Sequence, residues 1–372
     1  MKSLSVAKCL AALSAGLIAF TFSATAEEEG GALYTMDNAA AGNHVLAWKR
    51  MENGALTAPT LIATGGLGTG AGLSSQGSVS LSHDGHWLFV CNTGSDEISV
   101  FAVSPQGLQL ADKVSSGGRW PVSLALHRNL LYVLNAGGLV GDKDNVAAFF
   151  FVEGKLLALP HSARALSGEN TGPAQVSFTS DGETLVVSER TTSIIDTFRL
   201  DDNGLAEDHK MFQSAGQTPF GFAVGRRDRI FVSEAGGATS PSSASSYSVS
   251  EDGGLELISG AVPTEQNAAC WLVTSHGGRF VYTANAGSGS ISGFRVGPNG
   301  SLHLLNADGR TAVIGAGSHP IDMALSRDGR FFYGLANGNG TLNAFRARHD
   351  GSLEPLSAVS GIPASAAGLA GW

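Results

Sequence analysis

The strongest constraint on this chain is that it repeats itself. The segment LFVCNTGSDEISVFAV at residues 88–103 returns as LVVSERTTSIIDTFRL at 185–200 and as VYTANAGSGSISGFRV at 281–296. Each copy sits inside a longer unit: an apolar segment, a turn, a second apolar segment, a polar loop, an alternating segment, another turn and a last short segment. The first turn reads SHDG at 82–85, TSDG at 179–182, SHGG at 275–278 and SRDG at 326–329. The second reads MENG at 51–54, DDNG at 201–204, SEDG at 250–253, GPNG at 297–300 and RHDG at 348–351. Asp-Gly and Asn-Gly accept the positive φ that tight hairpins demand, so each unit predicts four antiparallel strands. Glycine, 50 of 372 residues, is about twice its usual share of about 7 percent and follows no Gly-X-Y period, which fits many short turns.

A landmark follows the second strand of each unit, at Asn38, Asn92, Asn135, Glu189, Glu234, Asn285 and Asn337, in steps of 54, 43, 54, 45, 51 and 52 residues. Four-stranded units at this spacing are propeller blades, and seven landmarks predict an all-β, seven-bladed β-propeller. A β-sandwich would not need the same turn chemistry seven times. Ring closure is expected from the chain ends. The N-terminal GALYTMDN matches a second strand without a first, and AAGLAGW at 366–372 resembles the innermost strands PIDMALS and PFGFAVG. One blade would then join strands from both termini and remove two open edges.

Strand alternation divides the innermost strands into two faces. Val79, Leu124, Val176, Phe222, Trp271 and Met323 are expected between blades, whereas Ser78, Ser123, Gln175, Gly221, Cys270, Asp322 and Gly368 should face the axis. The landmarks share one face with the loops that enter the innermost strands. That face gathers Arg119, Gln175, His319, Asp322 and the glycine-rich loop at 64–77. The loop lacks the strand-to-helix setting of a nucleotide fingerprint and reads as a connection. Asn at a landmark is most simply a turn residue, because Asn tolerates the left-handed region and bonds nearby backbone. Glu does neither job well. Glu189 and Glu234, in the adjacent fourth and fifth blades, are therefore candidates for acid–base chemistry or for binding a cation or polyol; solvated loop carboxylates, bridged by Arg190, are the plainer alternative.

Residues 1–26 predict an export signal, with Lys2 and Lys8 before an apolar run and a small-residue site at Ala24-Thr25-Ala26. Cleavage there leaves one domain, residues 27–372, in the periplasm or outside the cell. Loss of two lysines takes the formal charge from −9 to −11, which disfavours nucleic acid and anionic membrane surfaces as partners. Cys9 leaves with the signal, and Cys91 and Cys270 have neither CxxC nor CxxCH spacing, so no metal cluster, covalent haem or other cofactor is expected. Three blade steps separate these two cysteines, so two free, buried thiols are expected rather than a disulfide.

The repeats SHDGHWLFVCNTGSDEISVF and SRDGRFFYGLANGNGTLNAF resemble those of the seven-bladed propeller lactonase family, which includes propeller-type 6-phosphogluconolactonases and the fungal carboxymuconate-lactonising enzyme. The likeness spans residues 31–372. It implies a site on the loop-rich face, with histidines at the entrance of the fourth blade, an arginine after the fifth blade's proline and a glutamate after that blade's second strand. Glu234 matches the glutamate. The histidine positions are Gly172 and Ala174, and the arginine position is Phe220.

The resulting expectation is a monomeric, exported hydrolase acting on a lactone or related cyclic ester. Glu234 would serve as base or water positioner with Glu189 as its coupled partner, and His319 would be a further acid or base. Arg119, Arg190, Gln175, Asp322, Asn92 and Asn285 would contact the substrate. The alternative is a non-catalytic propeller that holds a glycan or protein on the same rim.

Overall fold

The computed structural model describes residues 29–237 and 241–372; the expected export signal lies outside them. Seven antiparallel sheets form the ring. Blade 4 is typical, with strands Pro173–Phe178, Thr184–Glu189, Ile194–Arg199 and Lys210–Gln213 from the axis outward. The second strands, such as TLVVSE and FVYTAN, are rich in β-branched and aromatic residues and buried along their whole length. They read as continuous runs because both faces meet a neighbouring blade.

Closure joins the two expected strands. Ala367–Gly371 forms the innermost strand of blade 1 and pairs with Glu29–Met36 through Leu33 and Gly371, Tyr34 and Ala370, and Met36 and Ala367. Trp372 adds a backbone bond to the Ala32 carbonyl at 2.9 Å. Its ring lies 3.8 Å from the Arg327 guanidinium of blade 7 and against Gly85 of blade 2, where a Cβ would come within 2.5 Å of the indole. The last residue therefore links both neighbours of the closing blade.

Blades are also pinned at their Asn-Gly and Asp-Gly turns. A second-strand tyrosine donates its hydroxyl to the turn carbonyl of the next blade: Tyr132 to Gly204 at 2.8 Å, Tyr282 to Gly351 at 3.0 Å and Tyr333 to Gly54 at 2.9 Å. Each bond satisfies a phenol in an otherwise apolar interface. Cys91 and Cys270 are free and buried.

Among the described residues, no helix is long and apolar enough to cross a membrane.

Candidate active site at the axial mouth

The landmark loops and the entrances to the innermost strands are clamped together on one face. Trp120, Thr218, Ala268 and His319 precede these strands with φ of 58°, 59°, 54° and 47°, and Gly172 does so at 64°. The first four are strained for residues with a side chain. The N–H just after a landmark holds the turn by donating to its carbonyl: Ala136 to Trp120, Arg190 to Gly172, Ala235 to Thr218 and Ala286 to Ala268.

The loop at 64–77 closes the axis. Ser75 donates its hydroxyl to the Val122 carbonyl and accepts the Trp271 indole N–H through its own carbonyl, at 2.8 and 2.9 Å. Gln76 donates its backbone N–H to Ala174 at 2.9 Å, and its side-chain amide bonds both the N–H and the carbonyl of Leu272, at 3.0 and 2.8 Å. Gly221 makes room for this amide, since a Cβ there would lie 2.0 Å from Gln76 Oε1. Below the plug, a cavity of about 470 Å³ lined by Gln76, Gln175 and Asp322 runs to His127, Thr179 and Ser180, toward the first turns and away from the landmarks.

The landmark side chains of blades 1 to 6 are fully buried, and that of Asn337 is half-buried. Asn92 donates to Ser99 Oγ at 2.7 Å and accepts from Asn43 Nδ2 and Thr64 Oγ1 at 3.0 and 2.6 Å. Asn285 donates to Ser290 and Ser292 at 3.0 and 2.9 Å. As ligand contacts these two amides are corrected: they lace the second strand to the third, and nothing of them reaches the mouth.

Four donors converge on Glu234, from Ser214 Oγ, the Gly216 N–H and Ser245 Oγ at 3.0, 2.8 and 2.6 Å on one oxygen and Ser243 Oγ at 2.5 Å on the other. Glu189 accepts from the N–H of Ser167 at 3.0 Å, from its hydroxyl, and from Thr192 Oγ1 at 2.6 Å. The two glutamates share no hydrogen-bonding neighbour, which corrects the expectation that they couple to each other. The partner of Glu189 is Asp196 on the third strand, whose carboxyl is pushed up to about 9 by burial first and then by the hydrogen bond and charge of Glu189.

Among the arginine and histidine candidates, Arg190 is the most buried. Its Nε donates to the Gly172 carbonyl at 3.0 Å, and its guanidinium lies 5.3 Å from the centre of the Phe220 ring, which packs on Trp271 at 4.8 Å. Burial pulls the guanidinium below its ordinary pKa, and the nearby Cys270 sulfur offsets part of that shift. Among the described residues no carboxylate pairs with it. Arg119, by contrast, is exposed and faces Asp96 at 3.4 Å and Asp142 at 3.7 Å. His319 is exposed, with Nδ1 3.1 Å from Asn337 Oδ1.

Gln175 and Asp322 do face the axis, but they staple neighbouring strands. Gln175 bonds the N–H and carbonyl of Phe222 at 2.7 and 2.9 Å. Asp322 accepts from the N–H groups of Met323 and Leu369 at 2.8 and 3.0 Å, and burial pushes its carboxyl up to about 8.

Three groups escaped the sequence reading. Asp196 stands seven residues after Glu189, as Ser99 follows Asn92 and Ser292 follows Asn285, so comparing the copies a few columns further would have exposed a paired substitution. Asp37 holds His44 through Nδ1 at 2.9 Å on the landmark face, where a carboxylate orients an imidazole. Gln76 has no local signal, because its partners lie in distant blades.

A family model described as lactonase, seven-bladed β-propeller, matches residues 23–150 and 226–321, and the chain belongs to that family. The interval between the matches contains blade 4. No curated protein matches the sequence significantly. Among solved structures, a Lactobacillus plantarum protein is similar with TM-score 0.74 and 16% identity, over 93% of this chain and 100% of its own. A candidate 6-phosphogluconolactonase of Bacteroides uniformis gives 0.72 and 16%, over 91% and 99%. A periplasmic gluconolactonase of Pseudomonas aeruginosa gives 0.69 and 18%, over 90% and 98%. At these identities the likeness shows the fold.

Proposed function

We propose that this chain hydrolyses a lactone or related cyclic ester at the mouth on the landmark face, with Arg190 as the group that binds the acyl oxygen. The observation that carries this reading is a largely buried guanidinium with no carboxylate among the described residues, stacked on the side chain at the position where the family resemblance implies an arginine. The cation reaches that place from blade 4 instead of blade 5. A guanidinium beside an aromatic floor suits the negative charge that grows on a lactone carbonyl during water attack, and a dry site strengthens the interaction. His319 is the exposed imidazole that takes the proton from water, while Glu234 fixes the wall through its four donors. Family membership supports the reaction class, and the residue pattern at 1–26 supports export.

A screen of the mature protein against chemically varied lactones tests this. With a substrate in hand, Arg190→Gln is expected to lower kcat/KM by roughly 10²–10³-fold, the usual effect of losing one oxyanion donor, with little change in Tm. Unchanged turnover in Arg190→Gln would remove the arginine from the mechanism. The second reading, a non-catalytic binding propeller, is favoured by the saturation of Glu234 and Glu189 with internal donors; ligand binding without turnover across the screen would establish it.

A further inference from the structure

Blade 4 contains a polar cluster that the proposed reaction does not use. In blades 2 and 6 the landmark amide meets a serine hydroxyl across the second and third strands, Asn92 with Ser99 and Asn285 with Ser292. Blade 5 replaces the amide by Glu234, but the facing group is still a hydroxyl, Ser245. Blade 4 alone among these sets two carboxyls on one face of the strand pair: Glu189 pairs with Ile194, so Asp196, two residues further on the same face, is its diagonal neighbour, and both are fully buried. No N–H or O–H among the described residues reaches either Asp196 oxygen, and the nearest imidazole atom, His209 Nδ1, stands 3.5 Å from Oδ1.

We propose that Glu189 and Asp196 share a single proton that the chain takes up on folding, making blade 4 a pH-sensitive latch between its second and third strands. Two adjacent buried carboxylates cannot both stay ionised. With its three donors, Glu189 is suited to be the acceptor, so Asp196 keeps the proton and donates it. Little else faces the pair. Opposite Asp196 lie Val187 on the second strand and Met211 on the outer strand. Arg190 turns away to Gly172 and Phe220. Lys210 is committed to Asp252 at 2.8 Å, and Asp208 and Glu169 are exposed. His209 packs against Phe198 at 5.3 Å and is the one other titratable group in reach among the described residues. No group of three or more His, Cys, Asp or Glu is arranged among the described residues to hold a metal instead.

The test is the proton linkage of folding, which needs no substrate. Asp196→Asn supplies a neutral amide donor to Glu189 that does not titrate. Between about pH 5 and 8 the mature wild-type protein should lose about tenfold in folding equilibrium constant per pH unit more than Asp196→Asn does, the signature of one extra bound proton. Glu189→Gln should flatten the profile in the same way. Infrared spectra at neutral pH should show a protonated carboxyl band in the wild type that is weakened in Asp196→Asn. Identical pH slopes in wild type and both variants would overturn the proposal. So would a full equivalent of metal in the purified wild type that is lost in Asp196→Asn, or an imidazolium at His209 at neutral pH without a protonated carboxyl.

Discussion

At the scale of single residues, what matters in this protein is whether each buried polar group has a partner. Glu234 and Glu189 stand at equivalent ends of the second strands of adjacent blades, yet the first meets four donors and the second meets three donors and another acid. The same logic makes Gly221 a sensitive position, because the Gln76 amide passes over it to reach Leu272. Gly221→Ala should displace Gln76 and strand the polar atoms of a buried amide, costing about 1–3 kcal/mol. Thermal denaturation would register this as a Tm several degrees lower. A Gly221→Ala protein as stable as the wild type would show that the plug is not held in this way.

At the scale of elements, the ring depends on one short strand. Ala367–Gly371 covers the inner edge of Glu29–Met36 and contacts the innermost strands on both sides. Deleting the last nine residues should expose two strand edges and leave Arg327 and Gly85 without Trp372, so the truncated chain should aggregate and melt at lower temperature. Gel filtration and a melting curve decide it: a monomer with the wild-type Tm would refute closure by this strand. The tyrosine bonds to neighbouring turns act locally by comparison. Tyr282→Phe removes one hydrogen bond, worth about 1 kcal/mol, and should weaken the seam between blades 6 and 7 without opening the ring.

Across the whole molecule, two buried acids set the response to pH. Asp196 and Asp322 both have carboxyls raised by burial, to about 9 and about 8. Folding therefore binds protons that the unfolded chain has released. Their stabilisation is complete below the ordinary aspartate range near 4 and is lost as pH rises through the raised values. His127, lowered by burial, acts in the opposite sense but only below its unfolded value near 6.5. The clean window is thus about pH 6.5 to 8.5, where Tm should fall as pH rises and Asp322→Asn should reduce the slope. A Tm that rises across this window would contradict the assignment. Cys91 and Cys270 are buried thiols, so reductant should leave Tm unchanged.

The repeat determined the fold by itself, because hairpin turns and strand alternation are local properties that reappear in every blade. Seven blades and the faces of the innermost strands were legible from residues near one another in sequence, and closure by the termini and two separate thiols at Cys91 and Cys270 followed from counting the repeats. The family, too, was legible from the blade motif. The site was less so. Asn92, Asn285, Glu189 and Glu234 stood out as departures or landmarks, but whether a polar residue opens to solvent or turns inward depends on donors from the third strand and neighbouring loops. Gln76 and Leu272 lie 196 residues apart, and Arg190 meets Phe220 and Cys270 from two other blades. Such meetings at the axis exist only once the ring has closed, since closure is what brings the innermost strands of distant blades within reach of one side chain.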